Sequence, residues 1–128
     1  MDHQPIADSI PRTKRSLPIA LIRARECVME PIRAMLAEHD LTEQQWRILR
    51  VLDEFGPLDA TTLSKHASLL LPSQTRILNT MVRKGLVGRQ NNAEDRRKQT
   101  MSITKAGEAI IKAHLPQAEA IATRIERV

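Results

Sequence analysis

Aromatic residues are almost absent. The 128-residue chain has no tyrosine, and besides its histidines Trp46 and Phe55 are its only rings. A stacking platform for single-stranded nucleic acid needs several exposed rings, so that class is excluded. Cysteine is as scarce: the lone Cys27 rules out an internal disulfide and suits a reducing compartment. No apolar run reaches membrane-spanning length and no signal-peptide pattern opens the chain, so a cytoplasmic protein with no membrane partner is expected. His3, His39, His66 and His114 are scattered without metal-ligand spacing, and there is no Gly-rich phosphate loop. No metal and no cofactor is therefore expected. No nucleophile stands in a pattern with a base, which argues against an enzyme.

Positive charge is present and unevenly placed. Residues 71 to 98 hold seven basic residues (Arg76, Arg83, Lys84, Arg89, Arg96, Arg97, Lys98) against two acidic ones, Glu94 and Asp95. That excess of five equals the net charge of the whole chain, +5, because the other 13 basic and 13 acidic residues cancel. A basic segment on a neutral body is the electrostatic footprint of a polyanion binder. A merely solvated basic face is the competing explanation.

The length fits one domain. Residues 1–15, with Pro5 and Pro11, read as a flexible tail. A long helix follows from about Leu17 to His39, with Ser16 as N-cap and a kink expected at Pro31. In "LTEQQWRILRVLDEFGP", Thr42 and Gln45 have capping-box spacing. Ile48, Leu49, Leu52 and Phe55 form an apolar stripe, and Gly56-Pro57 stops the helix. Asp59 caps a short helix over "LDATTLSKHA". Pro72 then opens a helix that Gly85 ends, with Ile77, Leu78, Met81 and Val82 facing the core. "LVGRQ" and "KQTMSI" read as strands flanking a long charged tip, "QNNAEDRRKQTMSI". Thr104 caps a last helix, from about Lys105 to the chain end, which Pro116 is expected to interrupt. The fold class is mainly α with a small β-hairpin wing: a winged helix-turn-helix over 41–104 between helices at 16–40 and 105–128.

This order carries a function. The helix that starts at Pro72 presents Ser73, Gln74, Thr75 and Arg76 at its N-terminal end, where a helix-turn-helix meets base edges in the major groove. Arg76 suits guanine, Gln74 suits adenine, and Ser73 or Thr75 can bond a phosphate or a base. Arg83 lies further along the same basic segment. A hairpin beyond this helix reaches the adjacent minor groove, which attracts arginine. The loop must project, so it is long, and must meet phosphate, so Arg96, Arg97 and Lys98 sit on it.

The chain resembles the MarR family of winged-helix transcription regulators. The residues that carry the resemblance are "LTEQQWRIL", "TRILNTMVRKGLVGR" and "DRRKQTMSIT". The family's wing signature, Asp-x-Arg and then Leu-Thr after five residues, reads here as Asp95, Arg97, Ile103 and Thr104, with Ile in place of Leu. The resemblance implies that Arg97 enters the minor groove and Asp95 orients it. It also implies a homodimer on double-stranded DNA, and a two-fold dimer requires a pseudo-palindromic operator. "ALIRARECVMEPIRAMLAEHDLTEQQWRIL" and "LPSQTRIL" are similar to the subgroup that regulates homoprotocatechuate-degradation operons, which implies repression relieved by a small aromatic carboxylate. Members of the family usually continue into a further C-terminal dimerisation helix. This sequence stops at Val128, which leaves the completeness of the dimer interface open.

An anomaly on the first long helix bears on the effector. Ile22, Arg25, Met29, Ile32 and Leu36 share one face, and Arg25 is the charge on that apolar stripe. A buried guanidinium needs a partner. The partner is either an acidic side chain, such as Glu26 of the partner subunit, or the carboxylate of a bound aromatic acid. Trp46 and His39 can line such a pocket, or serve as a core ring and a surface residue. Two other readings stay open. One is a thiol switch at Cys27, with its pKa lowered by Arg23 or Arg25. The other is a winged-helix interaction module without DNA binding.

Overall fold

The computed structural model describes residues 11–91, 94 and 98–126. Its elements run α1 (Arg12–Arg15), α2 (Leu17–Ala37), α3 (Glu43–Phe55), β1 (Leu58–Asp59), α4 (Ala60–Ala67), α5 (Leu71–Arg83), β2 (Val87–Asn91), β3 (Gln99–Ile103) and α6 (Lys105–Glu126). The expected architecture is there, with three differences at the N-terminal end, in the sheet and in α6.

The first difference is α1. Arg12–Arg15, read as tail, form one helical turn, closed by Arg15 N–H on Pro11 O at 3.2 Å and Ser16 N–H on Arg12 O at 3.1 Å. Proline before the first turn fixes a φ compatible with helix entry. Ser16 then stands at the α2 N-cap with an extended backbone, but its side chain makes no capping bond. Helix α2 continues through Pro31.

The centre is built around α3. The capping box forms as the spacing predicts: Gln45 N–H donates to Thr42 Oγ1 and Thr42 N–H to Gln45 Oε1, both at 3.1 Å. Ile48, Leu49 and Leu52 are buried against Leu36, Leu63, Leu78, Met81 and Met101. Phe55, expected in this stripe, is half exposed and stacks on His66 with ring centroids 4.2 Å apart. It is the last residue of α3, where the stripe has turned past the core, and Trp46 and Val51 are buried instead.

The second difference is a short strand the sequence did not reveal. β1 pairs antiparallel with β3, Leu58 opposite Met101, so the hairpin becomes a three-stranded sheet ordered β1-β3-β2. Two residues are too few to show a period of two.

The third difference is Pro116, which does not interrupt α6. Proline removes one backbone bond, but Ile111, His114, Ala118 and Ile121 recur at helical spacing on both sides of it and are buried. Packing of that stripe outweighs the lost bond. Near its start α6 lies tight on the hairpin: a Cβ at Gly107 would meet Leu86 O at 2.6 Å and Ile103 Cγ1 at 2.7 Å. Thr104 caps it as expected, accepting from Gly107 N–H at 3.2 Å while its hydroxyl donates to Gly85 O at 2.6 Å.

Candidate nucleic-acid interface and effector cluster

Helices α4 and α5 form the helix-turn-helix. Asp59 caps α4, accepting from Thr62 N–H at 2.8 Å and from the Thr62 hydroxyl at 3.0 Å. These bonds, and then the nearby Lys98 ammonium, hold the Asp59 carboxyl below its ordinary value. The turn passes through Ser68 at φ +54, and Pro72 stands in the first turn of α5.

The outward side of α5 presents Thr75, Arg76, Asn79 and Arg83, all exposed, with Ser73 half exposed. Thr75 Oγ1 donates to Leu71 O at 2.9 Å, so its remaining lone pairs face outward as acceptors. Arg83 Nη2 donates to Thr80 Oγ1 at 3.2 Å. Arg76 is on the surface, where a bidentate contact to a base edge is possible.

Gln74 corrects the sequence reading. It is 1 % exposed, and its Nε2 donates to Ala60 O at 2.9 Å. It locks α5 onto the start of α4 and cannot reach a base. The cause is angular: one residue on from Ser73 and one before Thr75, the side chain turns 100° to the inner side of the helix. Asn79 was missed for the opposite reason, because a lone asparagine in mid-helix carries no charge signal. It accepts from Arg89 Nη2 of β2 at 2.5 Å. Leu70 and Leu71 are exposed at the entry to α5, where an apolar side chain can meet a thymine methyl. Asp95, Arg96 and Arg97 lie outside the described residues, while Lys98 is exposed just before β3.

The second cluster joins α2 to the start of α3. Arg25 Nη2 donates to Glu43 Oε1 at 2.7 Å. Arg33 Nη1 and Nη2 donate to the two Glu26 oxygens at 2.7 and 3.0 Å, and Arg33 also stands 3.9 Å from Glu43 Oε2. The Arg33 hydrogen bond lowers the Glu26 carboxyl from its ordinary value and raises the Arg33 guanidinium in return. Glu43 is only 11 % exposed, and its Oε2 is buried with no hydrogen-bond partner among the described residues.

The expected ligand set is therefore divided. Arg25 has acidic partners within its own chain: it hydrogen-bonds Glu43, and its Nη1 also stands 4.0 Å from Glu26 Oε1, which Arg33 holds more closely. The Arg25 side chain is 44 % exposed in the single chain, not buried. Met29 is half-buried on α2, and Trp46, one turn after Glu43, is a buried core ring. His39 stands apart. It lies two residues beyond Ala37, which is itself roughly 18 Å along the helix from Arg25 at 1.5 Å per residue, and packs edge-on against His114 at 4.2 Å. Within the single chain it does not neighbour the Arg25 cluster. Cys27 is exposed with a free thiol. No group of three or more potential metal ligands occurs among the described residues.

An apolar surface completes the description. Leu17, Leu21 and Ile22 on α2 and Ile125 on α6 are exposed. A groove of about 260 Å³ between these helices is lined by Pro31, Ile121, Arg124 and Ile125.

The signature of the MarR family matches residues 41–98. The homoprotocatechuate degradative operon repressor of Escherichia coli is 44 % identical over 111 residues, which cover 87 % of this chain and 75 % of that protein. Two crystal structures share the fold at 34 % identity. The transcriptional regulator PA4135 has a TM-score of 0.79, covering 88 % of this chain and 82 % of its own. NadR in complex with 4-hydroxyphenylacetate has a TM-score of 0.77, covering 99 % of this chain and 85 % of its own.

Proposed function

The chain belongs to the MarR family of transcription regulators, DNA-binding proteins and not enzymes, and we propose that it represses an operon for aromatic-acid breakdown and is released by a small aromatic carboxylate. The observation that carries this reading is the 44 % identity to a homoprotocatechuate operon repressor across most of the chain. The complex of the similar NadR with 4-hydroxyphenylacetate supports an effector of the same class.

The geometry suits both halves of the proposal. For DNA, Arg76 and Thr75 read bases from the outward side of α5. Ser73, Arg83, Lys98 and the wing residues Arg96 and Arg97 meet phosphate or the minor groove, with Asp95 orienting Arg97. For the dimer, α2 and α6 offer Leu17, Leu21, Ile22 and Ile125 as an apolar face that a second copy covers. For the effector, Arg25 uses one nitrogen on Glu43 and keeps donors for a ligand carboxylate. Glu43 Oε2, buried with no hydrogen-bond partner among the described residues, is an acceptor for a ligand hydroxyl that reaches it. Such a ligand releases DNA only if it prefers a dimer geometry in which the recognition helices no longer match the half-site spacing.

The test is a gel-shift on duplex DNA from upstream of the chain's own gene, titrated with a panel of aromatic acids that includes 4-hydroxyphenylacetate. Dissociation by hydroxylated phenylacetates and not by the matching amides is expected. A complex that survives every acid in the panel would overturn the effector reading.

A further inference from the structure

The turn between α4 and α5 is held from outside. Arg47 of α3 donates through Nη1 to Ala67 O at 2.8 Å and to Ser68 O at 3.3 Å. Both acceptors are helix-terminal carbonyls: Ala67 ends α4, and Ser68 is its C-cap in the left-handed region at φ +54. The last carbonyls of a helix lack intrahelical partners, and a cation there also complements the helix dipole. A guanidinium suits two neighbouring carbonyls because its donors form a fixed planar fork.

A second clasp holds the other end of α5. Lys84 Nζ donates to Asp40 O at 2.8 Å and stands 3.6 Å from Asp40 Oδ2. Asp40 lies in the α2–α3 connection at φ +55. By contrast, α5 has no side-chain cap at its own start, since Leu70 occupies the N-cap. Its core face is held by Gln74, Leu78 and Met81, and its two ends by what grips the turn before it and the residue after it.

We propose that Arg47 and Lys84 are positioning residues that fix the recognition helix to the frame of α3, and are not DNA contacts. Charge counting groups Lys84 with the polyanion-binding segment. Both cations instead point at backbone carbonyls of their own fold. Arg47 sets the angle at which α5 leaves the turn, and Lys84 fixes its far end. The inference rests on DNA binding by this family and does not depend on the effector.

The experiment uses the full chain with two duplexes, one selected for tight binding from a random pool and one of scrambled sequence, each over a salt series. Arg47→Met keeps the apolar stem and removes the donors. The expected result is a loss of about tenfold in affinity for the selected duplex, in the range of a lost charge-assisted hydrogen bond. The slope of affinity against salt should stay that of the wild type on both duplexes, and Arg47→Lys should recover part of the loss. Lys84→Met should behave alike. A salt slope reduced by about one unit would mark a phosphate contact and overturn the proposal. Wild-type affinity for the selected duplex in a folded variant with a lowered melting temperature would show a merely structural role, and would also overturn it. If Arg47→Met does not fold, Arg47→Lys decides: weakened selected binding at unchanged slope supports positioning, and wild-type binding refutes it.

Discussion

Arg89 of β2 donates to Asn79 Oδ1 of the recognition helix at 2.5 Å, tying the wing's first strand to the outward side of α5. A guanidinium only donates, so this bond fixes the orientation of the amide, with Oδ1 turned to Arg89. Asn79 can then offer a base edge its Nδ2 donor and the second lone pair of Oδ1. Arg89 Nε is buried with no hydrogen-bond partner among the described residues. Asn79→Ala removes this exposed bond, whose Nη2 can turn to water, and should cost about 0.5–1.5 kcal/mol of stability. Denaturant unfolding of the variant beside Asn79→Asp, which restores an acceptor for Arg89, checks this. Equal stability of the alanine variant and the wild type would contradict it.

Arg76 and Gln74 are two residues apart and should fail in different ways. Arg76→Ala should relax specificity at one position per half-site by about 1–3 kcal/mol and leave folding unchanged. Gln74→Ala removes the bond to Ala60 O and opens space under α5, so it should lower stability first. Binding selections and thermal melts on both variants separate the two outcomes. A folded Gln74→Ala protein with altered base preference would restore Gln74 as a reader.

The acid limb of the stability curve should carry the Asp59 cap. Its carboxyl titrates below the ordinary carboxylate value because Thr62 donates to it twice and Lys98 is near. A depressed folded value means that its contribution is fully present above the unfolded value, about 3.9. The contribution is lost as pH falls through the lower folded value. Asp59→Asn keeps an N-cap acceptor that does not titrate, so unfolding measured from neutral pH down to strong acid should fall less steeply than in the wild type. Asp59→Ala should cost about 1 kcal/mol near neutrality. Parallel acid limbs in the wild type and Asp59→Asn would show that the cap does not titrate with folding.

Much of this was legible because local chemistry writes it plainly. The Thr42–Gln45 box, the Asp59 and Thr104 caps, Pro72 at a helix start and Gly85 at φ +74 after a helix end are one-residue signals with fixed backbone consequences. What escaped was set by tertiary context. β1 exists only because β3 is beside it. Pro116 stays helical because the stripe around it is buried. Gln74 is buried and Asn79 exposed because residue type shows what a side chain can bond, while the angle about α5 decides which way it points. The hydrogen-bond partner of Arg25 lies 18 residues away on another helix, a pairing that spacing alone could not reveal.

The proposed effector clamp is tested at Arg25. In the chain as it stands its guanidinium holds Glu43 Oε1, and Arg33 stands 3.9 Å from the other oxygen. A ligand carboxylate on Arg25 must compete with Glu43 or share the guanidinium with it. Arg25→Met keeps the apolar stem on the α2 face and removes the charge. Arg33 remains to compensate Glu43, so the variant should fold, dimerise and bind DNA. It should lose the aromatic acid by calorimetry and, with it, the release of DNA. A tenfold loss of operator affinity on ligand binding corresponds to about 1.4 kcal/mol of coupling, which the variant should abolish. If Arg25 serves only as the structural partner of Glu43, the variant should bind the acid as the wild type does and lose stability instead. Normal affinity for the acid in a well-folded Arg25→Met dimer would exclude the clamp.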